Sequence, residues 1–175
     1  MVRLLHYSDV ENAYDDPARI ARLAGAIRAL RSDDALVVGT GDNTGPGALA
    51  LATRGSQSLA FFDAVDPDAE ILGNHDFDYG MERALDLVER SPQPWLAANI
   101  FAETGTRFGE DAGVLPSTVI ERNGTTVGLI GVTDPKTPEM CPQAGALSFE
   151  DPVEHVRRQR DRLDADHVVV LSVLG

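Results

Sequence analysis

A chain of 175 residues that is 43% hydrophobic and 25% charged carries enough apolar material for one well-packed core. That excludes disorder, collagen-like repetition and a disulfide scaffold. Fifteen basic against 28 acidic residues leave a formal charge of −13, so neither nucleic acid nor a membrane surface is expected as a partner. Eighteen of the acids are Asp, and every basic residue except Lys136 is Arg. This halophile-like balance suits a salt-rich cytoplasm, where the repulsion between surface carboxylates is screened.

Cys141 is the only cysteine, so no intrachain disulfide and no oxidising compartment is implied. Within Met140-Cys141-Pro142 it has no His or basic neighbour to activate it, and a structural role is expected. The start, Met1-Val2-Arg3-Leu4-Leu5-His6, lacks the apolar run of a signal peptide, and no stretch approaches the ~20 apolar residues of a membrane span. A cytoplasmic location is the expectation.

Short apolar runs alternate with helical patterns, which is the order of an α/β domain occupying residues 1–175. Residues 3–8 form the first expected strand. Asp16-Pro17 then reads as an N-cap with proline at the first helical position, opening a helix over 18–31 with Ile20, Leu23, Ala24, Ile27 and Leu30 on one face. A strand over 35–39 leads into the loop 40–47, and one helix follows through Leu59, Phe61, Phe62 and Val65. A third strand around 70–72 runs into Gly73-Asn74-His75-Asp76, with a helix over 81–90 and a strand over 95–98 after it. Asn123-Gly124 between two apolar runs is a two-residue hairpin signal, so mixed strand directions are expected in the second half. A helix over 152–163 and a strand over 167–173 complete the pattern, and Val168 to Leu174 is expected to be exposed enough to support self-association.

Three strands thus end in oxygen donors: Asp9 and Glu11 after the first, Asp42 after the second, Asn74 after the third. Carboxylate and amide oxygens gathered from parallel strand ends are what a divalent ion needs. Ser8-Asp9-Val10-Glu11, Gly41-Asp42-Asn43 and Gly73-Asn74-His75-Asp76-Phe77-Asp78-Tyr79-Gly80 resemble the first three motifs of the calcineurin-like metallophosphoesterases. The nearest branch is that of the 5'-nucleotidases and cyclic-nucleotide phosphodiesterases; residues 95–100 and 127–133 resemble its following segments. The resemblance covers essentially the whole chain and implies an α-β-β-α sandwich with mixed sheets.

It also implies a pair of divalent ions about 3.5 to 4 Å apart that activates water and clamps a phosphate ester, here a small, nucleotide-like one. By position, Asp42 would bridge the two ions, Asp9 would hold the first and Asn74 the second. Asn74 and His75 would meet the substrate, His75 stabilising the departing oxygen, and Asp76 would accept a hydrogen bond from the imidazole and orient it. His6, His155 and His167 are expected to be structural or at the surface.

Two departures bear on the chemistry. The first motif of the family reads Asp-x-His, and Glu11 stands in the third position; a carboxylate there favours harder ions such as Mg or Mn over Zn, and the choice among Mn, Mg, Zn and Fe stays open. Leu171-Ser172-Val173-Leu174-Gly175 resembles the fourth motif with its ligand histidine replaced by Val173, and the family's next Gly-His-x-His segment is not reached. The expectation is therefore a sandwich incomplete at its C-terminus, holding two ions or only one. A remnant that binds metal or phosphate without turnover is the alternative. Gly39-Thr40-Gly41 does not make a dinucleotide site, because Gly45 comes one residue late and Asp42 would repel a pyrophosphate. Ser8, Ser172 and Cys141 lack the surroundings of a nucleophile elbow.

Overall fold

The computed structural model describes residues 1–174; Gly175, which closes the Leu171–Gly175 motif, lies outside them. In the first layer, β1 (Arg3–Tyr7) and β2 (Ala35–Gly39) pair in parallel, Tyr7 level with Gly39. All of β2 is buried, as a continuous apolar run requires of a strand covered on both faces. It meets the next strand through a parallel bridge from Val38 to Ala69, with the Gly39 N–H donating to the Ala69 carbonyl at 3.0 Å. β3 (Glu70–Ile71) then pairs in parallel with β4 (Trp95–Leu96), which stops two residues short of the expected end.

Helices cover the outer face of this layer. In α1 (Pro17–Leu30), the Asp16 carboxylate accepts from the N–H groups of Ala18 and Arg19 at 2.9 and 3.1 Å, and Pro17 takes the first helical position. Ile20, Leu23, Ala24 and Ile27 pack on the core. Leu30 does not: it is the helix's last residue, where no further turn covers it, and it is 55% exposed. The single helix expected after the second loop is two, α2 (Ala48–Thr53) and α3 (Gln57–Val65). They separate where Arg54 and Gly55 turn left-handed, at φ of 51° and 84°. α4 (Met81–Arg90) buries Ala84, Leu87 and Val88.

Beyond β4 the chain makes β5 (Ile100–Ala102), which pairs antiparallel with β8 (Leu147–Phe149). Between them lie the hairpin of β6 (Ser117–Arg122) and β7 (Thr125–Thr133) and the short α5 (Thr137–Met140). Asn123 and Gly124 both have positive φ, 51° and 73°, as a tight turn matching strand twist requires. After α6 (Pro152–Arg160), which ends three residues early, β9 (His167–Val173) pairs in parallel with β7, giving the mixed order β6-β7-β9.

Three apolar clusters define the layers. Tyr7, Val37, Phe61, Phe62, Leu72 and Trp95 pack between the parallel strands and the first helices. Leu36, Val38, Ile71, Leu96, Val127, Leu129 and Leu171 fill the space between the two sheets. Ala98, Ile130 and Val132 meet Val156 and Leu163 on the far side. The result is helix, sheet, sheet, helix, as the motifs implied.

Candidate active site

The loops leaving β1, β2 and β3 emerge side by side at the carboxyl ends of those strands, where open parallel sheets place their ligands. Asp9 and Glu11 from the first, Asp42 from the second, and Asn74 and His75 from the third line one cleft of about 370 Å³. The second sheet closes it with Asp134 and Thr137, just after β7, and with Val173 and Leu174 at the end of β9. Sequence reasoning missed Asp134 and Thr137, although their place after a strand's carboxyl end was the available signal. Asp134 is held through both main chain and side chain: its N–H donates to the Val173 carbonyl at 2.9 Å and its Oδ1 accepts from the Lys136 N–H at 2.8 Å.

Backbone conformation sets the ligand loops apart. Asp9, Glu11 and Asp42 have φ of 51°, 42° and 56°, a region that side chains with a Cβ seldom enter. Four of the six non-glycine positions with such φ among the described residues have local reasons: Glu11 opens the 3₁₀ turn Glu11–Asp15, Arg54 and Asp66 end helices and Asn123 turns the hairpin. Two glycines let the second and third loops press together. A Cβ on Gly41 would lie 2.7 Å from the Gly73 nitrogen, and one on Gly73 would lie 2.3 Å from Asp42 Oδ1.

Asp42 is buried, and its Oδ1 accepts from the His75 N–H at 2.7 Å. Burial first, and then the Asp76 carboxylate, push its carboxyl up to about 7. Asp76 does not meet the imidazole. It is buried, and it accepts from the N–H groups of Gly73, Asp42 and Thr44 at 2.7, 3.0 and 3.1 Å and from the Thr44 hydroxyl at 2.7 Å. The acceptor for His75 Nδ1 is Asp78 Oδ2, at 3.0 Å. Residues 75–77 form a 3₁₀ turn, in which positions three apart fall on the same side, so the third residue on, and not the next, reaches the ring. Burial works against charge on His75, but the Asp78 hydrogen bond and the Asp78, Asp42 and Glu11 charges together hold its pKa above the ordinary value.

The candidate ligands share a cleft, not a common point. Among the described residues no three His, Cys, Asp or Glu side chains are drawn together as an ion cage. Asp42 Oδ1 is turned to the His75 backbone, and Asp9 Oδ2 accepts from the Ser8 hydroxyl. The chemistry of the wall nevertheless suits divalent cations: four carboxylates and an amide line it, with no Arg or Lys. The remaining histidines stand apart from it. His6 Nε2 is 2.7 Å from the Thr40 hydroxyl, His155 is buried against Glu150, and His167 is exposed at the start of β9. Cys141 is buried.

An α-β-β-α sandwich with acidic loops at its parallel strand ends is the architecture of metallophosphoesterases. The profile of the calcineurin-like phosphoesterase family matches residues 2–172, and the chain belongs to that family. Its relatives include 5'-nucleotidases. The mouse 5'-nucleotidase is 29% identical over 189 residues, covering 98% of this chain and 33% of that protein. The snake venom 5'-nucleotidase of Gloydius brevicauda is 28% identical over 188 residues, with 98% and 32% covered. The solved 5'-nucleotidase precursor from Thermus thermophilus matches with a TM-score of 0.85 and 26% identity, over 99% of this chain and 37% of that one. The chain thus spans about a third of the length of the curated relatives it matches. Among the described residues no helix is long and apolar enough to cross a membrane.

Proposed function

We propose that the cleft hydrolyses phosphate esters, nucleotide-like in kind, with divalent ions held by Asp9, Asp42 and Asn74 and with Glu11 as a further ligand. The observation that carries this reading is the left-handed backbone at Asp9 and Asp42, with Glu11 in the same cleft at the start of the 3₁₀ turn in the first loop. Such conformations cost of order 1–3 kcal/mol each, and where no cap or turn explains them they mark functional sites. A phosphate cannot enter a wall of four carboxylates unless cations neutralise it. A divalent ion bound there would supply Lewis-acid polarisation of the phosphate and activation of the attacking water; Mn and Mg suit the oxygen-rich donors better than Zn or Fe.

The chain's own residues do the rest. The His75 N–H fixes Asp42 through Oδ1, which leaves the second carboxylate oxygen without a protein donor among the described residues. Asp78 anchors the His75 ring through Nδ1, so Nε2 can present a proton to the departing oxygen. Burial opposes charge on the ring, but the Asp78 hydrogen bond and the Asp78, Asp42 and Glu11 charges raise its pKa and so favour the protonated form. Asp76 holds the second and third loops in register by gathering their N–H groups.

Calorimetry with Mn on the whole chain, joined to hydrolysis of a generic phosphate monoester and diester, tests this reading. Asp42→Asn removes the most buried ligand charge and should abolish most Mn binding together with any turnover. Unchanged Mn affinity would refute the ligand assignment. A second reading, a binding remnant without turnover, is favoured by Val173, which faces the cleft and has no lone pair to offer. Mn binding that depends on Asp42 but brings no hydrolysis of either ester would select it.

A further inference from the structure

Beneath the cleft lies a polar cluster that the chemistry above does not use. Glu70 sits in β3 between Ala69 and Ile71 and is fully buried, the environment of an apolar side chain. Its Oε2 accepts from the Tyr7 hydroxyl at 2.9 Å. Its Oε1 accepts from Asn43 Nδ2 at 3.1 Å, from the Gly41 N–H at 3.3 Å and from the Ile71 N–H at 3.2 Å. Gly39 leaves room for it, since a Cβ there would lie 2.1 Å from Oε2.

The partners of this carboxyl bracket the candidate ligands. Tyr7 precedes Asp9 by two residues, and Gly41 and Asn43 stand on either side of Asp42. Asn43 carries the connection further: its Oδ1 accepts from the Val10 N–H at 3.2 Å, and its carbonyl accepts from the Tyr14 hydroxyl at 2.8 Å. The first loop is therefore tied down before and after Asp9, and the second before and after Asp42, all through one buried side chain and its amide neighbour.

We propose that Glu70 is a positioning residue of this site, which touches neither ion nor phosphate but fixes the separation of the loops that present Asp9 and Asp42. The proposal rests on the reading of Asp9 and Asp42 as ion ligands. Burial first, and then the charge of Asp76, push the Glu70 carboxyl up to about 8, and the nearby Tyr7 and Tyr14 hydroxyls are neutral, so the clamp works by shape and hydrogen bonding rather than charge. When the acid is neutral the Tyr7 contact can reverse, Oε2 donating to the hydroxyl oxygen, while Oε1 still accepts from the other three groups. A glutamine side chain offers the same pattern.

Mn calorimetry on wild type, Glu70→Gln and Glu70→Met tests it. Losing the partner behind a ligand costs about tenfold to a hundredfold in metal affinity. Glu70→Met should therefore bind Mn at least about tenfold more weakly, while Glu70→Gln should stay close to wild type. Equal affinity in all three, with only the melting temperature changed, would overturn the proposal, and so would an equal loss in both variants. Amide hydrogen exchange without added ions is the independent readout. The Val10 and Gly41 amides should exchange faster in Glu70→Met while those of β7 are unchanged; unaltered exchange at Val10 and Gly41 would also overturn it. If wild type binds no Mn yet this exchange pattern appears, the ion reading fails and the clamp stands. Should Glu70→Met not fold, Tyr7→Phe removes one arm of the clamp and carries both readouts.

Discussion

Glu70 carries a stability signature that its partners make measurable. Its carboxyl, raised from 4.5 to about 8 by burial, keeps its proton in the folded chain across a range where the unfolded chain has released it. The unfolded state binds fewer protons between those values, so stability must fall as pH rises through them, by up to about 1.4 kcal/mol per pH unit. Glu70→Gln removes the titration and retains the contacts. Its melting temperature should gain on that of wild type from about pH 5 to about pH 8, and parallel curves over that window would show that Glu70 is not held protonated. The same residue shows what a sequence hides. In Ala69-Glu70-Ile71-Leu72 a charged letter reads as the edge of a strand, and only the packed structure shows it buried beneath two loops. The shared placement of Asp9, Glu11, Asp42, Asn74 and His75 was legible, because a strand ending in a carboxylate or amide directs that residue to the sheet's ligand edge. The choice between Asp76 and Asp78 as the partner of His75 was not, because it depends on a 3₁₀ turn that no periodicity announces.

At the scale of elements, the strands at 35–39 and 167–173 and the helix at 81–90 have the bounds their sequences implied, since each is a continuous or periodic apolar run between breakers. β5 and β8 have three residues each, too few to show a period, and they exist because they pair with each other. Contact between the two sheets depends on Gly131 in β7. A Cβ there would come within 2.6 Å of the Leu96 Cβ and carbonyl oxygen and 2.7 Å of Ile71 Cγ2, and the Leu96 backbone cannot swing aside. Gly131→Ala should destabilise the chain by about 1–3 kcal/mol in urea unfolding, the usual cost of overpacking; a neutral result would mean that the sheets can separate to accept a methyl group. The end of β9 can be probed in the opposite sense. Val173 already lines the cleft, so Val173→His places an imidazole among the oxygen donors and should tighten Mn binding in calorimetry. No gain would indicate that the new ring points away from the ions.

For the molecule as a whole, the exposed side of β9 sets two forces against each other. In the order β6-β7-β9 it is an edge strand among the described residues, with Val168, Val170 and Leu174 at 38%, 41% and 53% exposure, although Leu171 is buried between the sheets contrary to expectation. His167 to Val173 contains no Lys, Asp, Glu or Pro, the residues that usually blunt such an edge. Two copies can pair β9 against β9 about a two-fold axis and join their sheets. Opposing this, each copy carries a formal charge of −13, and at low ionic strength that repulsion reaches about 30 Å, against about 8 Å at physiological salt. Self-association should therefore strengthen as salt is added, the reverse of an interface held by ion pairs. Sedimentation equilibrium should show a dimer that grows with ionic strength and is lost in Val170→Lys, a change at an exposed position that leaves the core intact. A wild-type chain that remains monomeric in high salt at its highest soluble concentration would show that the twist of β9 or its flanking loops already guards the edge.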